Sequence, residues 1–172
     1  MYRALCYQVL QAGLSPEQEK QIIDLSTSLN IELDASEEGQ KVYVNGNEVS
    51  DKIRSTEVSN FVSRISKIPE IRQLLVKNQK QMAASKGVVM DGRDIGTVVF
   101  PEADLKVFMT DNPEVRAKRR YNELKEKGVE TNFEAVKKNI EKRDYIDSNR
   151  KISPLKKATD AIVLDNSNMT VQ

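Results

Sequence analysis

Histidine is absent from the 172 residues, and that absence removes whole classes of chemistry. Ser-His-Asp and Cys-His nucleophilic catalysis both need an imidazole, as do most zinc sites. Cysteine occurs once, as Cys6, so no intramolecular disulfide can form and a reducing cytoplasm is the expected compartment. Cys6 lies in an apolar stretch, where a plain core thiol is expected rather than a nucleophile. Neither charge is in excess: the net value of +1 creates no global field toward nucleic acid or an anionic membrane. No apolar run approaches the ~20 residues that span a bilayer, and the opening "MYRALCYQVL" lacks the layout of a signal peptide. Aromatic residues make up only 5%, which leaves few stacking platforms for RNA bases.

What is present is ordinary globular material, with 31% charged and 38% apolar residues. That is enough chain for one domain with a sizeable core. Residues 2–12 read as an amphipathic helix ending near Gly13. Residues 15–30 read as a second helix, with Ser15 as N-cap and Pro16 in the first turn. The period then changes. Residues 30–35 and 40–49 look like short strands, and Asn45-Gly46 is a strong hairpin signal because both turn residues accept positive φ. Helices are expected again over 55–68, capped by Ser55 or Thr56, and over 69–84 after Pro69. The apolar runs "GVVM" (87–90), "KVFMT" (106–110) and "AIVL" (161–164) suit strands buried on both faces of a parallel sheet. Helices over 112–128 and 132–150 lie between the last two runs, so strand and helix alternate and an α/β fold is expected.

Without histidine, the available tools are arginine, lysine and carboxylate, which are those of phosphate binding and phosphoryl transfer. "DGRDIG" (91–96) directly follows an expected strand, and ligands of open α/β sheets sit beyond strand carboxyl ends. There Arg93 can fork onto a phosphate or carboxylate and Asp94 can accept from sugar hydroxyls, or the two can form a structural pair in a surface turn. Arg116, Arg119 and Arg120 fall at i, i+3 and i+4 on one helix face. They make either a polyphosphate clamp or a solvated basic face neutralised by Glu114 and Glu123. Arg143, Asp147 and Arg150 share another face, with Asp144 beside it. That ladder can hold a nucleotide or can be a surface ion network of little energetic weight. Ser63 and Arg72 lie on the helical segments before the first apolar run. Three arginine clusters in a histidine-free α/β chain favour an enzyme handling nucleotides or phosphate. An RNA-binding role for "RAKRRYNELKEKG" is the competing class.

"DGRDIGTVVFPEADLKVFMT", "RAKRRYNELKEKG" and "RDYIDSNRKISPLKKATDAIVLDNS", taken in that order, closely resemble bacterial cytidylate kinase. The segments "VYVNGNEVSDKIR" and "SRISKIPEIRQLL" extend the likeness over the whole chain. The resemblance implies a parallel-sheet, P-loop nucleoside monophosphate kinase fold of one domain over 1–172. It carries a small β-rich insert at 30–50 on the monophosphate-binding side, with a lid and flanking helices at 112–150. It implies transfer of the γ-phosphoryl group of ATP to CMP or dCMP, with ATP as donor and Mg²⁺ as the accompanying ion. No nucleic-acid or membrane partner is implied, and a cytoplasmic monomer is expected. Carried over residue by residue, Arg3 and Arg93 would grip the CMP phosphate. Ser63, Arg72 and Arg150 would read the cytosine ring, and Asp94, Arg143 and Asp147 would hold the ribose and nearby phosphate. Arg116, Arg119 and Arg120 would lie on or beside the lid over the ATP phosphates.

One hallmark of the family does not occur in these residues: no G-x-x-x-x-G-K-[ST] stretch is found,. The expectation is therefore a kinase fold without its first strand, its P-loop and its final helix, which resembles a kinase cut at both ends. A catalytically inactive CMP-binding fragment is the alternative reading.

Overall fold

The computed structural model describes residues 1–36, 39–84 and 87–170. Residues 37–38 of the expected β insert, 85–86, and 171–172, where the absence of a final helix was expected, lie outside them. The chain divides into two compact units, Met1–Lys86 and Gly87–Gln172.

The first unit is built from α1 (Tyr2–Gln11), α2 (Glu19–Thr27), α3 (Thr56–Ile65), α4 (Pro69–Ala83) and an antiparallel sheet in the order β1 (Ile31–Ser36), β2 (Gly39–Val44), β3 (Asn47–Glu48). Its core is set by helical spacing. Leu5 and Val9 of α1, Ile65 of α3, and Ile71 and Leu75 of α4 are buried together with Ile22 of α2 and Val44 of β2. Each pair four residues apart faces the same way, which puts both members against the core. The hairpin between β2 and β3 turns at Asn45 (φ 49°) and Gly46 (φ 77°), the two left-handed positions that a two-residue turn requires. The Asn45 side chain also accepts the Asn30 N–H at 2.8 Å, which ties the turn back to the start of β1.

The helix starts separate side-chain caps from mere propensity. Ser55 accepts the Val58 N–H at 3.2 Å, and Pro69 opens α4, as the sequence anticipates. Residues 15–18 do not begin α2. Gln18 Oε1 accepts the Ser15 N–H at 2.8 Å and the Gln18 N–H returns to Ser15 O, while the Glu17 carboxylate pairs with Arg64 of α3. The side-chain contact closes a separate turn, and the helix starts three residues later than the Ser-Pro signal suggests.

The second unit holds β4 (Val107–Thr110), α5 (Pro113–Glu126), α6 (Phe133–Asn149) and β5 (Ile162–Asp165). β4 and β5 pair in parallel with Val107 opposite Ile162, and the two helices between them form the crossover that parallel pairing demands. α5 and α6 pack through Ala117, Leu124 and Val136, all buried, and through an edge-on contact of Tyr121 with Phe133, centroids 6.2 Å apart. Asn112 and Asn132 cap the two helices by accepting the N–H groups of Glu114 and Ala135.

Two expectations about the strands are corrected. "GVVM" is not a strand: no ladder forms along 87–90 among the described residues, and Val89 is fully exposed. An apolar run favours a strand only where a neighbour can take its backbone groups, and among the described residues the parallel sheet has two strands. For the same reason Val107, Met109, Ile162 and Val163 are exposed rather than buried on both faces, since a two-stranded sheet has no central strand. "DGRDIG" accordingly leads into a single turn of π-helix, Ile95–Val99, instead of capping a strand.

Burial pushes the Cys6 thiol up to about 12, and its Sγ contacts the Val58 carbonyl at 3.6 Å. The native chain at pH 8 should therefore react with a thiol-specific disulfide reagent far more slowly than the same chain in denaturant. Equal rates in the two conditions would contradict the core placement.

Candidate functional site

Asp147 is the focus of the second unit. It is buried at 4% exposure on α6, and a buried carboxylate must be paired. Its two oxygens take two arginines. Arg93 Nε donates to Oδ2 at 3.0 Å, and Arg150 Nη1 lies 3.6 Å from Oδ1. Arg150 is itself buried. Its Nε donates to Ser153 O at 2.6 Å, and Ser153 sits in the left-handed region at φ 49°, a backbone strain of about 1 kcal/mol for a residue with a Cβ. The Leu155 N–H bonds to Asp147 O at 2.8 Å, so the segment after α6 folds back over its last turn.

Arg143 lies one turn before Asp147. Its Nε is buried with no hydrogen-bond acceptor among the described residues. Burial, then the neighbouring Arg93 charge, lowers its pKa from the ordinary arginine value, while Asp147 and Asp144 act in the opposite direction. Arginine still carries its proton at neutral pH. The result is a half-buried cation with a donor left over, which is a place for an anionic acceptor. Asp94 is buried at the start of the π-turn, and its carbonyl takes the Val98 N–H at 2.9 Å and those of Thr97 and Val99 at 3.3 Å. Arg93 is thereby fixed on one side by this turn and on the other by Asp147.

The three arginines of α5 share a face but do not converge on one point. Arg116 forms an ion pair with Asp111 and a hydrogen bond to Asp144, each at 2.6 Å, and the Asp144 hydrogen bond raises its pKa further. Arg119 Nη2 bonds the Asn166, Ser167 and Met169 carbonyls at 2.8, 3.3 and 3.0 Å. Arg120 pairs with Glu123 at 2.9 Å. Mutual repulsion at i, i+3 and i+4 is relieved because each guanidinium finds its own acceptor. Glu114, which the sequence offers as a neutraliser of this face, pairs with Lys137 instead.

Arg3, Ser63 and Arg72 belong to the first unit. Arg72 is almost fully buried. It donates to Ser66 O at 3.1 Å and lies over the Tyr2 ring at 5.2 Å. Ser66 in turn donates to Ser63 O at 3.2 Å. Arg3 reaches Ile53 O at 3.1 Å and Ser59 Oγ at 3.0 Å. These contacts set Arg72 against Tyr2 of α1 and tie Arg3 of α1 to Ile53 and Ser59, with Ser63 linked to Arg72 through Ser66.

Sequence reasoning missed Asp111, which serves both Arg116 and Arg119. The available signal was its place, directly after β4 and before the Asn112 cap. It also missed the role of Arg119 as a clamp on the segment after β5, for which spacing carries no signal. Among the described residues no group of three or more Asp, Glu, Cys or His is placed to hold a metal ion. These side chains alone therefore make no cage for Mg²⁺, an ion that kinases hold largely through substrate phosphates and water.

A family profile described as "Cytidylate kinase" matches residues 1–172. Among curated relatives, the cytidylate kinase of Enterococcus faecalis is 43% identical over 172 residues, covering 100% of this chain and 76% of the relative. That of Bacillus subtilis is 44% identical over all of this chain and 77% of its own length. That of Caldanaerobacter subterraneus subsp. tengcongensis is 47% identical over 99% of this chain and 74% of its own length.

Asp147→Asn should lower stability by about 2 kcal/mol, because it removes a charged acceptor between two guanidiniums. Arg93→Met should cost under about 1 kcal/mol, since that guanidinium is half-exposed and its pairing is screened. Urea unfolding measures both, and equal costs would contradict the placement of Asp147 as the shared buried partner.

Proposed function

The chain belongs to the cytidylate kinase family of phosphotransferases, and from that premise we propose that it binds CMP or dCMP as the acceptor for the γ-phosphoryl group of ATP. The observation that carries this reading is the set of Arg93, Arg150 and Arg143 around one buried carboxylate, with a buried guanidinium N–H left over. Arg93 and Arg3 take the phosphate of the monophosphate. Asp94, Asp147 and Arg143 take the ribose and the phosphate beside it. Ser63, Arg72 and Arg150 take the cytosine edge, where a guanidinium fork and a hydroxyl match a carbonyl acceptor and a ring nitrogen. Arg116, Arg119 and Arg120 act on the phosphates of ATP from on or beside the lid, within the lid and flanking helices of residues 112–150, and the insert at 30–50 elaborates the monophosphate-binding side.

The chemistry asked of these groups is positioning and charge neutralisation. In-line transfer to a phosphate oxygen requires little proton abstraction, so a chain without histidine can perform it. Arginines stabilise the charge that develops on the transferring group, and closure of the lid keeps water from competing as acceptor. Mg²⁺, when present, supplies further neutralisation of the ATP phosphates. Each role above is assigned to side chains independently of the ion.

A second reading has its own support. The 172 residues contain no P-loop signature, so they supply neither its backbone nest nor its lysine for the β- and γ-phosphates. A polypeptide of these residues alone is then a CMP-binding module with little turnover. A cytoplasmic monomer, with no nucleic-acid or membrane partner, accompanies both readings. No helix of the described residues is long and apolar enough to cross a membrane.

Calorimetric titration with CMP and with ATP, together with a coupled assay, separates the readings. We expect saturable CMP binding, much weaker ATP binding, and turnover at least about 100-fold below the roughly 1–100 s⁻¹ usual for kinases. Turnover within that range would refute the module reading and uphold the full activity. Absence of CMP binding would overturn both.

A further inference from the structure

Lys106 is the first residue after the exposed Leu105 and stands directly before β4. Its side chain is nonetheless only 8% exposed, and lysine is rarely so covered unless it is paired. The ammonium bonds two groups far apart in sequence, the Pro101 carbonyl and Asp160 Oδ2, the latter at 2.6 Å. The stem runs over Gly96. A Cβ built on that glycine would stand 3.4 Å from Lys106 Cδ and 3.5 Å from Cγ, at ordinary van der Waals distance, so the stem packs directly along position 96. The Lys106 carbonyl accepts the Ile162 N–H at 2.9 Å, which begins the β4–β5 ladder. One residue therefore joins the π-turn, the segment leaving it, the turn before β5 and the sheet itself.

That junction bears on the candidate site through the backbone of 94–101. The π-turn starts at Asp94, whose carbonyl collects the three N–H groups of Thr97, Val98 and Val99, and ends where Phe100 N–H bonds Ile95 O at 2.7 Å. A π-turn is a strained, rarely populated form, and it persists where surrounding contacts determine it. At its start the chain is held by Arg93 on Asp147. At its end the hold is Lys106 on Pro101 and Asp160. The Lys106 bond lowers the Asp160 pKa from its ordinary value, so the carboxyl side of the pair is ionised at neutral pH and gives way in acid.

We propose that Lys106, anchored by Asp160, is a positioning residue for the nucleotide site: it fixes the π-turn from its far end and so sets where Arg93 and Asp94 stand. This inference rests on the assignment of Arg93 and Asp94 to the monophosphate. Lys106 itself touches no ligand in this account, because its ammonium is already satisfied by two protein oxygens.

The test uses Lys106→Met, which keeps the stem and loses the ammonium, Asp160→Asn, and Lys106→Arg as the conservative rescue. Hydrogen exchange at the Val98, Val99 and Phe100 amides is read without any ligand, and CMP affinity is read by calorimetry well below the melting temperature. In Lys106→Met and Asp160→Asn those three amides should exchange about tenfold faster, while the α5 and α6 amides stay unchanged. CMP should bind about tenfold more weakly at full stoichiometry, and Lys106→Arg should restore most of both. Unchanged exchange at 98–100 overturns the anchor whatever CMP does. Faster exchange with unchanged CMP affinity overturns the positioning role while leaving the nucleotide assignment standing. A wild-type chain that binds no CMP overturns the nucleotide assignment, and the positioning role falls with it.

Discussion

A carboxylate placed out of water between two guanidiniums organises the second unit. Asp147 could not be buried alone, because an ionised carboxylate transferred to a poor solvent is destabilised by several kcal/mol. It is tolerated because Arg93 arrives from the π-turn and Arg150 from the end of its own helix. That requirement fixes the approach of the 91–99 segment to α6, and it also folds the residues after Arg150 back through Ser153 and Leu155. The carboxylate does not use all the donors around it. Arg143, one helical turn away, keeps a buried Nε unspent. A protein that wished only for stability would have little use for such a group, since an unsatisfied buried donor is destabilising by about 1–3 kcal/mol. Phosphate oxygens of the proposed nucleotide would satisfy it.

Helix α6 acts as a ruler for this arrangement. Asp144 and Asp147 are three residues apart, so they lie on adjoining positions of one face. The first holds Arg116 of α5, and the second holds Arg93 of the π-turn. A rotation or shift of α6 would move both arginines together, one assigned to the phosphoryl donor and the other to its acceptor. Asp111, at the end of β4, provides the second hold on Arg116 and a longer contact to Arg119. Strand end and helix face thus share the neutralisation of the α5 cluster, and Arg119 carries it on to the carbonyls after β5.

Much of the local structure was legible in the sequence. Ser55 caps the helix it precedes, and Asn45-Gly46 makes the turn its φ tolerance predicts. These features are decided within four residues, which is the range that sequence patterns report. Where the reading failed, a distant partner decided the outcome. Glu17 was drawn to Arg64 and Gln18 closed on Ser15, so α2 starts late. "GVVM" has the composition of a buried strand, but composition cannot supply the neighbouring strand that would pair with it. The grouping of Arg143, Asp147 and Arg150 along α6 and its C-cap was legible in their helical spacing. Its wiring was not. Which guanidinium meets which carboxylate depends on the crossover geometry, and Arg119 gave no sign in sequence of choosing backbone carbonyls over a carboxylate.

The account stands on the claim that the arginines around Asp147 answer to one nucleotide. The most direct measurement is NMR of the arginine Nε–H signals as CMP is added to the native chain. The Arg93, Arg143 and Arg150 signals should move together and saturate at a common ligand concentration, while Arg54 and Arg64 stay still. Signals that move independently, or a response as large at Arg64 as at Arg143, would contradict the claim.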